Sequence, residues 1–116
     1  IVREETPKMV DIQEKIKAQI QSEDIVLYMK GTKDFPQCGF SSVVVQILKR
    51  LGVSFLDVNV LDDMEIREGI KIYTDWPTIP QLYVKGDFIG GWDIIRELYE
   101  TGELESLMKE KNILAS

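Results

Sequence analysis

The sequence predicts an α/β fold, a four-stranded mixed sheet with helices on both faces. Three observations lead there: an apolar run between helical patterns, a second strand pattern reached through a crossover helix, and two short strands joined across a glycine turn. A strand, helix, strand unit crosses over right-handed and pairs its strands parallel, and a later hairpin adds antiparallel strands to the same sheet.

From Met9 to Gln21, Ile12, Ile16 and Ile20 recur at helical spacing among Lys, Gln and Glu, which makes one apolar stripe on a surface helix. Ile25-Val26-Leu27-Tyr28-Met29 reads as a buried strand. Lys30 to Gln37 is a loop rich in turn formers. The helix after it carries Val44, Ile47, Leu48 and Leu51 at i, i+3, i+4 and i+7, and Gly52 ends it.

Val53 to Val60 is the second strand, and Asp62 with Glu65 three residues on has the spacing of a capping box that opens a helix through about Tyr73. Trp76-Pro77-Thr78-Ile79-Pro80 excludes helix, because its two prolines force extended or turn backbone. Gln81 to Lys85 and Phe88 to Ile89 flank Gly86-Asp87, a tight hairpin connection. A last helical region after Gly90-Gly91 carries Ile94, Ile95, Leu98 and Tyr99, then Leu104, Leu107 and Met108 beyond a break at Gly102.

The 116 residues make one domain, expected as a flexible N-terminal arm over residues 1–8 and a folded domain over 9–116. Hydrophobic content of 44% and charged content of 29% are those of a soluble globular protein, and no apolar run approaches the roughly 18 residues of a membrane span. A formal charge of -6 argues against nucleic acid as a ligand, since phosphate contacts need a basic face. One cysteine rules out a disulfide-stapled secreted scaffold, and the absence of histidine removes the commonest metal ligand and general base. A reducing compartment fits. The chain opens on Ile1, as expected of a processed or truncated form.

Cys38 stands in Pro36-Gln37-Cys38-Gly39-Phe40-Ser41, after the loop and before a helix. A thiol acts as nucleophile or metal ligand only as the thiolate, and a helix N-terminus favours that anion. Lys30, at the end of the strand feeding the loop, adds positive charge. A buried structural cysteine is the common fate of a lone Cys on an apolar helix face. Here Gly, Pro and Gln surround it, which favours a reactive site. Ser41 takes the place of the second thiol of a Cys-x-x-Cys motif, so no internal disulfide closes.

Lys30, the loop, Cys38-Gly39-Phe40-Ser41, Trp76-Pro77-Thr78-Ile79-Pro80-Gln81 and Gly90-Gly91-Trp92-Asp93 together resemble the monothiol glutaredoxins of the Cys-Gly-Phe-Ser class, over about residues 10 to 110. The resemblance implies a thioredoxin-like fold, a cis peptide bond at Pro80 facing Cys38, and glutathione as ligand. It implies that Lys30, Arg67 and Lys71 hold the glycine carboxylate, that Ile79 pairs with the cysteinyl backbone, and that Trp92 with Asp93 takes the glutamyl end. Phe40 belongs to the same site. From the residues alone, Arg67 and Lys71 at i, i+4 equally fit a solvated helix face. The family often has cysteine where this chain has Trp92, so a disulfide from that position to Cys38 is ruled out here.

The function this implies is a glutathione-dependent carrier of [2Fe–2S] clusters in iron–sulfur protein assembly, with Cys38 as metal ligand. A cluster takes four thiolates and this chain offers one, so two protomers and two glutathiones are needed, a bridged homodimer. The implied partners are apo iron–sulfur proteins and assembly factors, BolA-like proteins among them. The alternative is a glutathione-dependent thiol–disulfide oxidoreductase that removes glutathione from proteins through a Cys38 mixed disulfide. The seven residues between Lys30 and Cys38 resemble the insertion of the carrier class, so little oxidoreductase activity is expected. The expected address is the mitochondrial matrix, with a plastid or a bacterial cytoplasm as alternatives.

Overall fold

A computed structural model of the protein describes residues 7–115. In chain order the elements are α1 (Pro7–Ser22), β1 (Ile25–Met29), α2 (Gly39–Leu51), β2 (Leu56–Asn59), α3 (Met64–Thr74), β3 (Gln81–Val84), β4 (Asp87–Gly90), α4 (Trp92–Glu100) and α5 (Glu103–Glu110). Helix α1 takes in residues 7 and 8 of the expected arm, and its residues 1–6 lie outside the described residues.

The strands form one sheet in the order β2-β1-β3-β4. The crossover through α2 makes β1 and β2 parallel, whereas β3 runs antiparallel to both β1 and β4. This is the thioredoxin-like arrangement that the resemblance implied. Central β1 is buried along its whole length, which is why it reads as an unbroken apolar run rather than an alternating one. Its Ile25, Leu27 and Met29 pack with Val44 and Leu48 of α2, Ile95 of α4 and Leu104 and Met108 of α5. On the other face Val26 and Tyr28 meet Ile16 and Ile20 of α1 and Ile66 and Ile70 of α3. Each fully buried side chain of this size contributes about 1.5–3 kcal/mol, so both layers are held by the sheet. Among the described residues no helix is long and apolar enough to cross a membrane.

Three local expectations are corrected. The cap of α3 is Asp63, whose carboxylate accepts from the Glu65 and Ile66 N–H groups, not Asp62. The hairpin turn is Lys85-Gly86, both at positive φ (51° and 84°), because a two-residue type I′ turn needs the left-handed region at both positions. Strand β2 is confined to Leu56–Asn59: its register starts at Val26↔Leu56, which leaves only Ile25 of β1 beyond it, too little for Val53 to Phe55 to pair with. The end of α2 is as expected, with Gly52 left-handed (φ 72°) and its N–H directed to the Leu48 and Lys49 carbonyls.

Candidate functional site

The sheet brings four chain segments together at the C-terminal end of β1. Register puts Gln81 opposite Tyr28, so the Trp76–Pro80 segment arrives beside the point where β1 runs out into Lys30. Gly90 lies opposite Leu82, which delivers the first turn of α4 to the same end.

The loop after β1 folds back on itself. Gly31 bridges to Pro36, and the Gln37 N–H donates to the Lys30 carbonyl at 2.9 Å, which returns the chain next to Lys30 before Cys38 begins α2. Gly31 sits at φ +91°, and a Cβ there would lie 2.5 Å from the Phe35 carbonyl oxygen and 2.6 Å from the Gln37 nitrogen, so only glycine fits. The loop is pinned to the β2 side: Asn59 Oδ1 accepts from the Gly31 N–H at 2.9 Å, and Asp57 Oδ2 from the Lys33 N–H at 2.9 Å.

Cys38 is the N-cap residue of α2, with extended backbone and a partly exposed side chain. Desolvation by burial pushes its thiol up, but four smaller influences act against it and the net shift is downward. These are the Ser41 and Phe40 backbone N–H groups at the helix start, the positive charge of Lys30, and the Ser41 hydroxyl. The two N–H groups are among those a helix start leaves unpaired. Ser41, fully buried, also accepts from the Lys30 N–H at 3.1 Å. It therefore ties the end of β1 to the first turn of α2 while serving the sulfur, a role that the sequence signalled only as a missing second thiol.

An open groove of about 660 Å³ reaches Phe40, in the first turn of the helix that this cysteine begins. Seven of the nine expected site residues line it: Lys30, Phe40, Arg67, Lys71, Ile79, Trp92 and Asp93. Trp76, Pro77 and Thr78 complete the wall. Cys38 and Pro80 are not on the lining: Cys38 stands two residues before Phe40, Pro80 directly follows Ile79, and the Ile79-Pro80 peptide is cis. The lining therefore carries three cations, Lys30, Arg67 and Lys71, and one carboxylate, Asp93. Arg67 and Lys71 lie one turn apart on α3 and face the groove rather than open solvent. Arg67 Nε is buried with no hydrogen-bond partner among the described residues. Among the described residues Lys71 is held by a 3.7 Å contact with exposed Glu68.

Trp92 stacks on Phe40, with ring centroids 4.7 Å apart and planes 19° from parallel, and Arg96 lies over its ring at 6.0 Å. The pair joins the first turns of α2 and α4 into one aromatic wall, so the ring at position 92 packs against the groove's own lining.

Gln81 is the site residue whose work the sequence hid. Fully buried, it donates from Nε2 to the carbonyls of Trp76 (3.1 Å) and Thr78 (3.2 Å) and accepts at Oε1 from Thr74 (3.1 Å) and Tyr83 (3.0 Å). Every donor and acceptor of the amide is used, which fixes the 76–78 wall to the sheet. Among the described residues no group of three or more His, Cys, Asp or Glu side chains is placed to hold a metal ion.

The glutaredoxin family profile matches residues 25–89. A probable monothiol glutaredoxin 2 of Rickettsia typhi is 52% identical over 99 residues, 85% of this chain and 89% of that one. Monothiol glutaredoxin-S14, chloroplastic, of Arabidopsis thaliana is 55% identical over 100 residues, 86% of this chain but 56% of that longer protein. The solution structure of reduced apo GrxS14 from poplar superposes with a TM-score of 0.76 at 49% identity, covering 85% of this chain and 91% of that one. With one thiol capping α2, serine in the second position and relatives of this kind along most of its length, the chain belongs to the glutaredoxin family, in its monothiol class.

Proposed function

We propose that the groove binds glutathione and that the protein carries [2Fe–2S] clusters between iron–sulfur proteins. The observation that carries the reading is the order of charge around a single activated thiol. Glutathione has two carboxylates and one ammonium; Lys30, Arg67 and Lys71 offer the cationic partners for its glycine carboxylate, and Asp93 at the start of α4 receives the glutamyl end. The unpaired Arg67 Nε is a donor suited to such an anion. Ile79 pairs its backbone with the cysteinyl residue as an added strand does. The ligand's sulfur is thereby brought beside Cys38.

The cluster is cargo. It takes four thiolates, and a chain with one cysteine and no histidine supplies one. Two Cys38 thiolates and two glutathione thiolates complete the set in a homodimer, and ligands held without covalent bonds to the chain favour release to an apoprotein. Assembly factors such as BolA-like proteins take the place of one protomer in this scheme. For the address, the relatives from Arabidopsis chloroplasts and from Rickettsia support the plastid and bacterial alternatives beside the mitochondrial matrix.

The lowered pKa of Cys38 favours a second reading, the oxidoreductase. There the Cys38 thiolate attacks the glutathionyl sulfur of a protein mixed disulfide and expels the protein thiolate, and a second glutathione reduces Cys38, leaving as glutathione disulfide. Reconstitution with iron, sulfide and glutathione separates the two. The carrier reading predicts a brown dimer that Cys38→Ser abolishes, with slow turnover of a small glutathione mixed disulfide in a reductase-coupled assay. Stable colour in Cys38→Ser would sink the cluster assignment, and rapid turnover without cluster binding would establish the enzyme.

A further inference from the structure

Trp76 Nε1 is buried and has no hydrogen-bond acceptor among the described residues. An indole N–H only donates, and a buried donor left unpaired costs about 1–3 kcal/mol, so its position calls for an acceptor supplied in another state of the site. The space over Gly91 identifies that acceptor. A Cβ built on Gly91 would lie 3.4 Å from Trp76 Nε1, 3.5 Å from Asp93 Oδ1 and 3.8 Å from the Pro80 carbonyl oxygen. Gly91 has φ -86° and ψ -174°, a conformation open to any residue, so glycine is not needed there by the backbone. Its missing side chain leaves open a space that both the indole nitrogen and the carboxylate border. Of the two acceptors, Pro80 O is fixed in the main chain; Asp93 is exposed, in the first turn of α4, and able to rotate.

We propose that Trp76 is a positioning residue for Asp93: in the liganded groove its indole N–H holds one carboxylate oxygen, which aims the other at the ligand's ammonium. The inference rests on the glutathione reading given above. A carboxylate has about four lone-pair sites, so one bond from the indole leaves ample capacity for an ammonium. Fixing the carboxylate in advance lowers the ordering cost of binding. Phe88, tilted against the Trp76 ring at 5.7 Å between centroids, packs against the indole from the sheet side.

Titration calorimetry of the full chain with S-methylglutathione and its N-acetyl derivative, which lacks the ammonium, tests this. Trp76→Phe should weaken the first about 10- to 150-fold, the worth of one hydrogen bond to a charged group, and leave the second unchanged. Combined with Asp93→Asn it should weaken binding no further than Asp93→Asn alone. Equal losses for the two peptides, or additive losses in the double variant, would show Trp76 to be packing only and overturn the proposal. Should Trp76→Phe fail to fold, Gly91→Ala, which places a methyl in contact with both atoms in a conformation alanine tolerates, carries the same expectations. If the unaltered chain binds neither peptide, the glutathione reading itself fails and takes this inference with it.

Discussion

Cys38 has opposed influences acting on it: burial raises its pKa, while the Ser41 and Phe40 N–H groups, the Lys30 charge and the Ser41 hydroxyl together bring it below the ordinary thiol value. Because the folded state favours the anion, its contribution to stability is fully present above the unfolded thiol pKa of about 8.5 and is lost as pH falls through the lowered folded value. Lys30→Met removes one of the lowering influences. The pH midpoint of alkylation by iodoacetamide should move up toward the ordinary thiol value, and the rise of stability across that window should flatten. An unmoved midpoint would mean that the helix start acts alone. Cys38 and Lys30 were legible in the sequence because their roles follow from chain-local placement, a strand end and a helix start. The part played by Ser41 was not, since it depends on the Lys30 N–H being brought back to the first turn of α2 by the folded loop.

At the scale of elements, the groove wall is only as firm as the amide that holds it. Gln81→Leu keeps the volume of the side chain but strands the Trp76 and Thr78 carbonyls and the Tyr83 hydroxyl, and should cost about 3 kcal/mol in urea unfolding. It should also weaken glutathione binding by loosening residues 76–78. A loss below about 1 kcal/mol would show that the wall is held by its prolines instead. The sequence pattern placed every helix and strand, because periodicity and punctuation by Gly and Pro are local signals. It misplaced the cap of α3 and the hairpin turn by one residue each. Asp62 and Asp63 are equivalent caps until the helix axis is known, and Lys85 at φ 51° is a left-handed residue that composition does not announce. The length of β2 is a matter of register with β1, which no single strand encodes.

Across the whole molecule, a chain of net charge -6 gathers three cations and one carboxylate along one groove, from the end of β1, from α3 and from the start of α4. Seven of the nine expected residues share the lining although they are spread from Lys30 to Asp93. The unpaired indole of Trp76 and the stack of Trp92 on Phe40 were beyond reach, since both arise from tertiary contacts between segments far apart in sequence. The carrier reading proposed for this groove, with one cysteine per chain, requires a cluster-bound state larger than one chain. Native mass spectrometry of the protein reconstituted with iron, sulfide and glutathione measures that state directly. The predicted mass is two chains, one [2Fe–2S] cluster and two glutathiones; a cluster borne by one chain, or by a dimer without glutathione, would contradict the account.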